Sequence, residues 1–183
     1  MSRLVEDLLL LARLDEARPL ERDPVDLRGV IDDAVDAARV VDSSHSYGFE
    51  LGSNALLVDG DERRLRQVLD NLLTNVRQHT PPGSAVYVTA RRNGGEIVLH
   101  VEDNGPGIPP ELRDRIFDRF VRPDSGRNRD SGGAGLGLAI VRSIVTAHGG
   151  SVGARAVVPH GLAFELRLPA RLSANSQPPL SVG

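Results

Sequence analysis

The stretch "SAVYVTARRNGGEIVLHVED" at residues 84–103 restricts the possible folds more than any other. Val86, Val88 and Ala90 alternate with other residues before Asn93-Gly94-Gly95, and Ile97, Leu99 and Val101 alternate after it. Alternation puts every second side chain on one face of a strand, and Asn-Gly supplies the positive φ of a tight turn. The stretch therefore predicts a β-hairpin with one buried face. Such a pair in mid-chain excludes a purely parallel, doubly wound sheet.

The flanking segments fill in the rest. Asp26 is placed to cap a helix through about residue 41, with Leu27, Val30, Ile31, Ala34 and Ala38 on its apolar face. Two short strands are expected at about 47–51 and 55–58, and Gly60-Asp61 opens a helix that ends before Pro81. A helix over 136–147 and a hairpin over 151–158 and 162–168 follow. The order α, β, β, α, β, β, loop, α, β, β predicts an α+β two-layer sandwich, with a mixed, mostly antiparallel sheet and helices on one face.

At the N-terminus, Leu4, Val5, Leu8, Leu11 and Ala12 form a helical stripe. It either docks on its own domain or pairs with another helix in a coiled coil or bundle. Pro19 and Pro24 make 17–25 a linker, 26–169 the main domain, and 170–183, which lacks an apolar period, a disordered tail.

Composition removes several classes of function. A net charge of −3, with arginines scattered among acids, gives no footprint for nucleic acid. The absence of cysteine excludes disulfides and thiolate metal sites. The longest apolar run, "LLLLA" at 8–12, is far below the roughly 20 residues of a membrane span, so a soluble, cytoplasmic domain is expected.

Asn71 and Asn75 lie one helical turn apart, in a segment where Leu65, Val68, Leu69, Leu72 and Val76 form the apolar stripe. Asparagine is a mediocre helix former, so two on one face ask for a role. Beyond the hairpin come two glycine clusters, "DNGPGIP" at 103–109 and "GGAGLGLAIV" at 132–141. Gly135 and Gly137 open a helix, where bare backbone N–H groups can meet phosphate oxygens at the positive end of the dipole. Ionised Asp103 accepts from an exocyclic amine such as adenine's and repels the carbonyl of guanine. The Asn75 amide oxygen is a hard ligand suited to Mg²⁺. Neither GxxxxGK[ST] nor a GxGxxG opening a βαβ unit fits this layout.

Four motifs in order, "NLLTNVRQHTP", "DNGPGIP", "IFDRFVR" and "GGAGLGLAIV", resemble the ATP-binding domain of bacterial two-component sensor histidine kinases. This is the superfamily shared with DNA gyrase, the Hsp90 chaperones and MutL, and the resemblance covers about residues 1–169. It implies that Asn75 holds Mg²⁺ and Asp103 reads adenine, while Gly105 and Gly107 shape the base pocket and His79 lies near the ring. Phe117 and Phe120 would anchor a lid over 121–131. Arg122, Gly133, Gly135, Gly137 and Leu138 would border the phosphates.

The position of Asn71 matches a water-activating glutamate in the hydrolytic relatives. An amide cannot be that base, so ATP would be held for transfer to another acceptor. The resemblance makes 1–16 the end of a dimerisation helix whose partner, carrying the acceptor histidine, lies upstream. None of His45, His79, His100, His148 or His160 has an HExRTP-like context, so the chain alone is not expected to phosphorylate itself. His148 ends a helix, where a cation is welcome. The implied partners are ATP, the phosphoacceptor helix bundle and a response regulator, with the parent kinase a homodimer and this piece a monomer. Rival readings are a serine kinase of the anti-sigma type and a nucleotide-responsive interaction module without chemistry.

Overall fold

The computed structural model describes residues 3–15, 22–121 and 135–171. The elements follow in the order α1 (Arg3–Asp15), β1 (Asp23–Asp26), α2 (Leu27–Val41), β2 (Ser46–Leu51), β3 (Leu57–Gly60), α3 (Glu62–His79), β4 (Ala85–Asn93), β5 (Glu96–Asp103), α4 (Pro110–Arg113), α5 (Gly137–Ala147), β6 (Ser151–Ala156) and β7 (Leu162–Pro169). Five strands form one sheet in the order β2-β4-β5-β7-β6, and β1 and β3 form a separate pair. Only β2 and β4 run parallel in the large sheet, joined by a crossover that contains α3. The fold is thus the expected α+β sandwich with a mixed, mostly antiparallel sheet.

The hairpin β4–β5 pairs Asn93 with Glu96 across Gly94, whose φ of 60° suits the turn. Its buried face carries Val86, Val88, Ala90, Ile97, Leu99 and Val101, and β7 adds Phe164, Leu166 and Leu168. Tyr87, Arg91, His100, Glu165 and Arg167 lie outside this core, as the period of two requires.

Both long helices begin at aspartates. Asp26 accepts from the Arg28 N–H at 3.0 Å and Asp61 from the Arg64 N–H at 3.0 Å, so each satisfies an otherwise orphaned donor. Leu65, Val68, Leu69, Leu72 and Val76 are all buried, so the stripe read from the sequence is the one α3 sinks into the core. Leu72 is fully buried, and truncating such a leucine costs about 2–5 kcal/mol.

Three features depart from the expectations. β1 occupies 23–26 and pairs with β3, so the end of the stretch read as linker is ordered as a strand. A two-stranded pair is edge on both sides and tolerates Pro24. The four-residue α4 was not anticipated, although Pro110 stands in its first turn, where a missing N–H costs nothing. In α1, Leu10 and Leu11 are buried, with the helix lying against α5, while Val5 and Leu8 of the predicted stripe are exposed. Arg122, Gly133 and the tail beyond Arg171 lie outside the described residues, as does all but the first residue of the 121–131 lid, whereas Ala170 and Arg171 donate backbone hydrogen bonds to the Gly95 and Leu57 carbonyls.

Candidate functional site

The site lies where α3, the loop after β5 and the start of α5 converge. Packing of α3 on α5 is antiparallel, because Asn71 meets Gly137 at one end and Asp61 meets His148 at the other. Asn71 is half-buried and its Nδ2 donates to the Gly137 carbonyl at 3.3 Å. One turn on, Asn75 is also half-buried, with no hydrogen bond from its amide to the described residues. Asn71 thus faces the first turn of α5, and Asn75 lies one turn further along α3. Gly135 has a φ of 70°, and a side chain there would press on the backbone of Phe120 and Val121 at 3.2–3.3 Å. Leu138 is half-buried and packs on the core.

Asp103 ends β5 and is 5% exposed. Its Oδ1 accepts from the Gly105 N–H at 2.8 Å. Burial pushes its carboxyl above the ordinary 3.8, and the Gly105 and Leu162 N–H groups oppose that shift without cancelling it. A Cβ built on Gly105 would lie 2.5 Å from Thr80 Cγ2 and 2.9 Å from Asp103 Oδ1, so this loop closes only without a side chain there. Gly107 has a φ of 71°, and a Cβ on it would stand 2.9 Å from the Gly161 carbonyl. The β6–β7 turn braces the loop from outside, since His160 Nδ1 donates to the Asn104 carbonyl at 2.8 Å.

The fringe of the site is partly different from expectation. Phe117 is buried and packs edge-on against Phe164, with ring centroids 6.2 Å apart. Phe120 is 61% exposed with a φ of 64°, so its side chain is not part of the core of the described residues. Its backbone N–H instead donates to the Gly135 carbonyl at 3.0 Å, and Arg142 donates to Asp118 at 2.7 Å. These two contacts join the segment before the lid to α5. His79 is exposed at the end of α3. Arg77 is half-buried and Gln78 is exposed.

His148 corrects the cation expected at the helix end. It is 4% exposed, and burial lowers its pKa below 6.5. Nδ1–H donates to the Ile144 carbonyl at 2.8 Å, and Nε2 accepts from the Asp61 N–H at 3.0 Å. A ring that must accept at Nε2 is neutral, so desolvation outweighs the helix dipole here.

A paired acid and two glycine loops, with helix amides between them and a helix N-terminus opposite, define a nucleotide-ATPase class of site. The family model described as "Histidine kinase-, DNA gyrase B-, and HSP90-like ATPase" matches residues 60–172, and the chain belongs to that family. Among curated relatives it is 47% identical over 169 residues to the probable sensor histidine kinase TcrY of Mycobacterium tuberculosis, covering 92% of this chain and 35% of that protein. It is 44% identical over 174 residues to the sensor histidine kinase TrcS of the same organism, covering 92% and 34%. The chain thus spans about a third of the length of these relatives.

Among solved structures, the mycobacterial sensor histidine kinase MprB superposes with a TM-score of 0.73 at 35% identity, over 82% of this chain and 100% of that one. Full-length ShkA in complex with AMPPNP superposes with a TM-score of 0.79 at 33% identity, over 93% and 36%. Histidine kinase ThkA in complex with response regulator protein TrrA superposes with a TM-score of 0.74 at 25% identity, over 92% and 48%.

Proposed function

We propose that this domain binds Mg-ATP and donates the γ-phosphoryl group to a histidine on a dimerisation helix outside residues 1–183, as the catalytic part of a two-component sensor kinase. The observation that carries the reading is the Asn71 amide on the Gly137 carbonyl. By resemblance it stands at the position of the water-activating glutamate of hydrolytic relatives, and its hydrogen bond ties α3 to the first residue of α5. An amide accepts no proton from water, so chemistry is left to positioning and charge neutralisation. The ShkA complex with AMPPNP supports an adenine nucleotide as ligand, and the ThkA complex supports a response regulator downstream.

The residues present fit both implied groups. Buried Asp103 accepts from the adenine amine, and Gly105 and Gly107 let the loop beside it close against Thr80 and Gly161. His79, exposed at the end of α3, is read as lying near the ring, and Gly135, Gly137 and Leu138 as offering the start of α5 to the phosphates. No cluster of three or more acidic or histidine side chains among the described residues could hold a metal alone. The unengaged Asn75 oxygen suits an ion that arrives already carried by phosphate oxygens. Mg²⁺ there neutralises phosphate charge.

Calorimetric titration tests this. Mg-ATP should bind with micromolar to millimolar affinity, roughly 4 to 8 kcal/mol. Asn75→Ala should abolish most of the gain that Mg²⁺ brings to ATP. Absence of ATP binding, or an unchanged metal dependence in the variant, contradicts the assignment.

A further inference from the structure

Behind the base side of the site lies a buried polar chain that the phosphate chemistry does not use. Asp42, the C-cap of α2, has its Oδ2 2.7 Å from His45 Nδ1. His45 Nε2 is 2.9 Å from Thr80 Oγ1, and Thr80, the C-cap of α3, donates to the Val76 carbonyl at 2.8 Å. The His45 side chain is 3% exposed and that of Asp42 9%. Further donors secure the carboxylate: the Ser44 hydroxyl at 2.6 Å, the Ser44 N–H at 2.8 Å and the Tyr47 hydroxyl at 2.9 Å. Hydrogen bonds from Ser44 hold the Asp42 carboxyl well below its ordinary range. The backbone closes round the same group, with the Gly83 N–H on the Ser44 carbonyl at 2.7 Å and the Ser46 N–H on the Ser84 carbonyl at 3.0 Å.

The far end of the chain carries the functional consequence. Thr80 is the residue whose methyl fills the space against Gly105, next to Asp103 Oδ1. A threonine has two heavy atoms on Cβ, so fixing where its hydroxyl points also fixes where its methyl stands. Hydrogen bonds are directional and a buried partner has no water to turn to, so this chain allows Thr80 one orientation. His45 and Asp42 also precede residue 60, where the family match begins, so the contact brings a segment of this chain outside that match to the base pocket.

We propose that His45, held by Asp42, is a positioning residue for recognition of the base: it orients Thr80, which supports the Gly105 backbone and thereby the Asp103 carboxylate. The inference rests on the adenine-nucleotide reading above. Its effect is confined to the base side. Neither Asn75 nor Gly137 takes part in the hydrogen bonds of the chain.

The test compares Thr80→Val, which keeps the shape but removes the hydroxyl, with Thr80→Ser and the wild type. Each is titrated with Mg-ATP, Mg-GTP and magnesium tripolyphosphate, which has no base. Thr80→Val should weaken ATP about tenfold, narrow the ATP-over-GTP preference and leave tripolyphosphate unchanged. Thr80→Ser should retain part of that preference through its hydroxyl. An unchanged ATP-to-GTP ratio in Thr80→Val, or an equal loss on tripolyphosphate, overturns the proposal while leaving the nucleotide reading intact.

A wild type that binds no ATP overturns both. Should the valine variant not fold, ¹⁵N-histidine spectra of the wild type decide. The His45 resonances should move on adding adenosine and stay in place with tripolyphosphate, and their failure to move with adenosine contradicts the proposal.

Discussion

At the scale of single residues, Asp103 shows how a recognition group sets its own cost. Its carboxyl is buried and raised above 3.8, which means that ionising it works against the fold. With the folded value above the unfolded one, the contribution to stability is fully present below the unfolded value and lost as pH rises through the folded value. Asp103→Asn should therefore unfold at a higher temperature than the wild type at pH 7, with the gap closing as pH approaches 3.8. The Asn oxygen can still accept from Gly105, but its amine now suits a guanine carbonyl, so the ATP preference should shrink by at least about tenfold, roughly 1.4 kcal/mol. Thermal scans and nucleotide competition check the two halves, and an equally strong ATP preference would remove Asp103 as the reader. At Gly105, Gly105→Ala should lose nucleotide affinity about tenfold or more, because the added carbon collides with Thr80 2.5 Å away. Wild-type affinity in that variant would show that the loop relaxes freely.

At the scale of elements, the sequence exposed what local pattern determines and hid what contact decides. Asn71, Asn75 and the apolar stripe of α3 follow from helical spacing alone, and β4–β5 follows from alternation around Asn93-Gly94. Asp103 and the glycines at 105, 107, 135 and 137 could be picked out because residue type itself carries their chemistry. β1 could not, since four residues around Pro24 give too short a period to read. His148 misled because the dipole at a helix end is a local feature, whereas the burial that overrides it comes from Gly60 and Asp61, 87 residues away for the hydrogen-bonded pair. The His45–Thr80 contact joins residues 35 apart and has no sequence signature at all.

The α3–α5 pair makes its own prediction. With His148 lowered below 6.5, the unfolded chain takes up the proton first, so stability is present above 6.5 and is lost as pH falls through the folded value. Arg22 nearby opposes the charge and Asp61 favours it, with burial the larger effect. Thermal scans between pH 7.5 and 5 should show a falling midpoint. His148→Gln should cost about 1–3 kcal/mol at neutral pH and flatten that slope. An acid slope as steep in the variant as in the wild type would place the titrating group elsewhere.

For the whole molecule, the role proposed above is that of a phosphoryl donor. The mixed sheet ends β5 in the acid Asp103, α3 carries the two amides, and Asn71 ties α3 to the start of α5. Of the five histidines, His45 and His148 are buried, His100 lies 3.1 Å from Glu165, His160 is engaged with Asn104, and His79 is exposed at the end of α3. No helix among the described residues is long and apolar enough to cross a membrane. The exposed Val5 and Leu8 on α1 suit the packing of another helix.

The central claim is that γ-phosphoryl passes from this domain to a histidine it does not itself contain. Incubating the chain with Mg²⁺ and γ-labelled ATP, alone and with a separately prepared dimerisation bundle of the parent kinase, measures that directly. The account predicts acid-labile phosphohistidine on the bundle only, with no label on the chain alone and little release of free phosphate. Stable label on His45, His79, His100, His148 or His160 of the isolated chain, or steady phosphate release without the bundle, would contradict it.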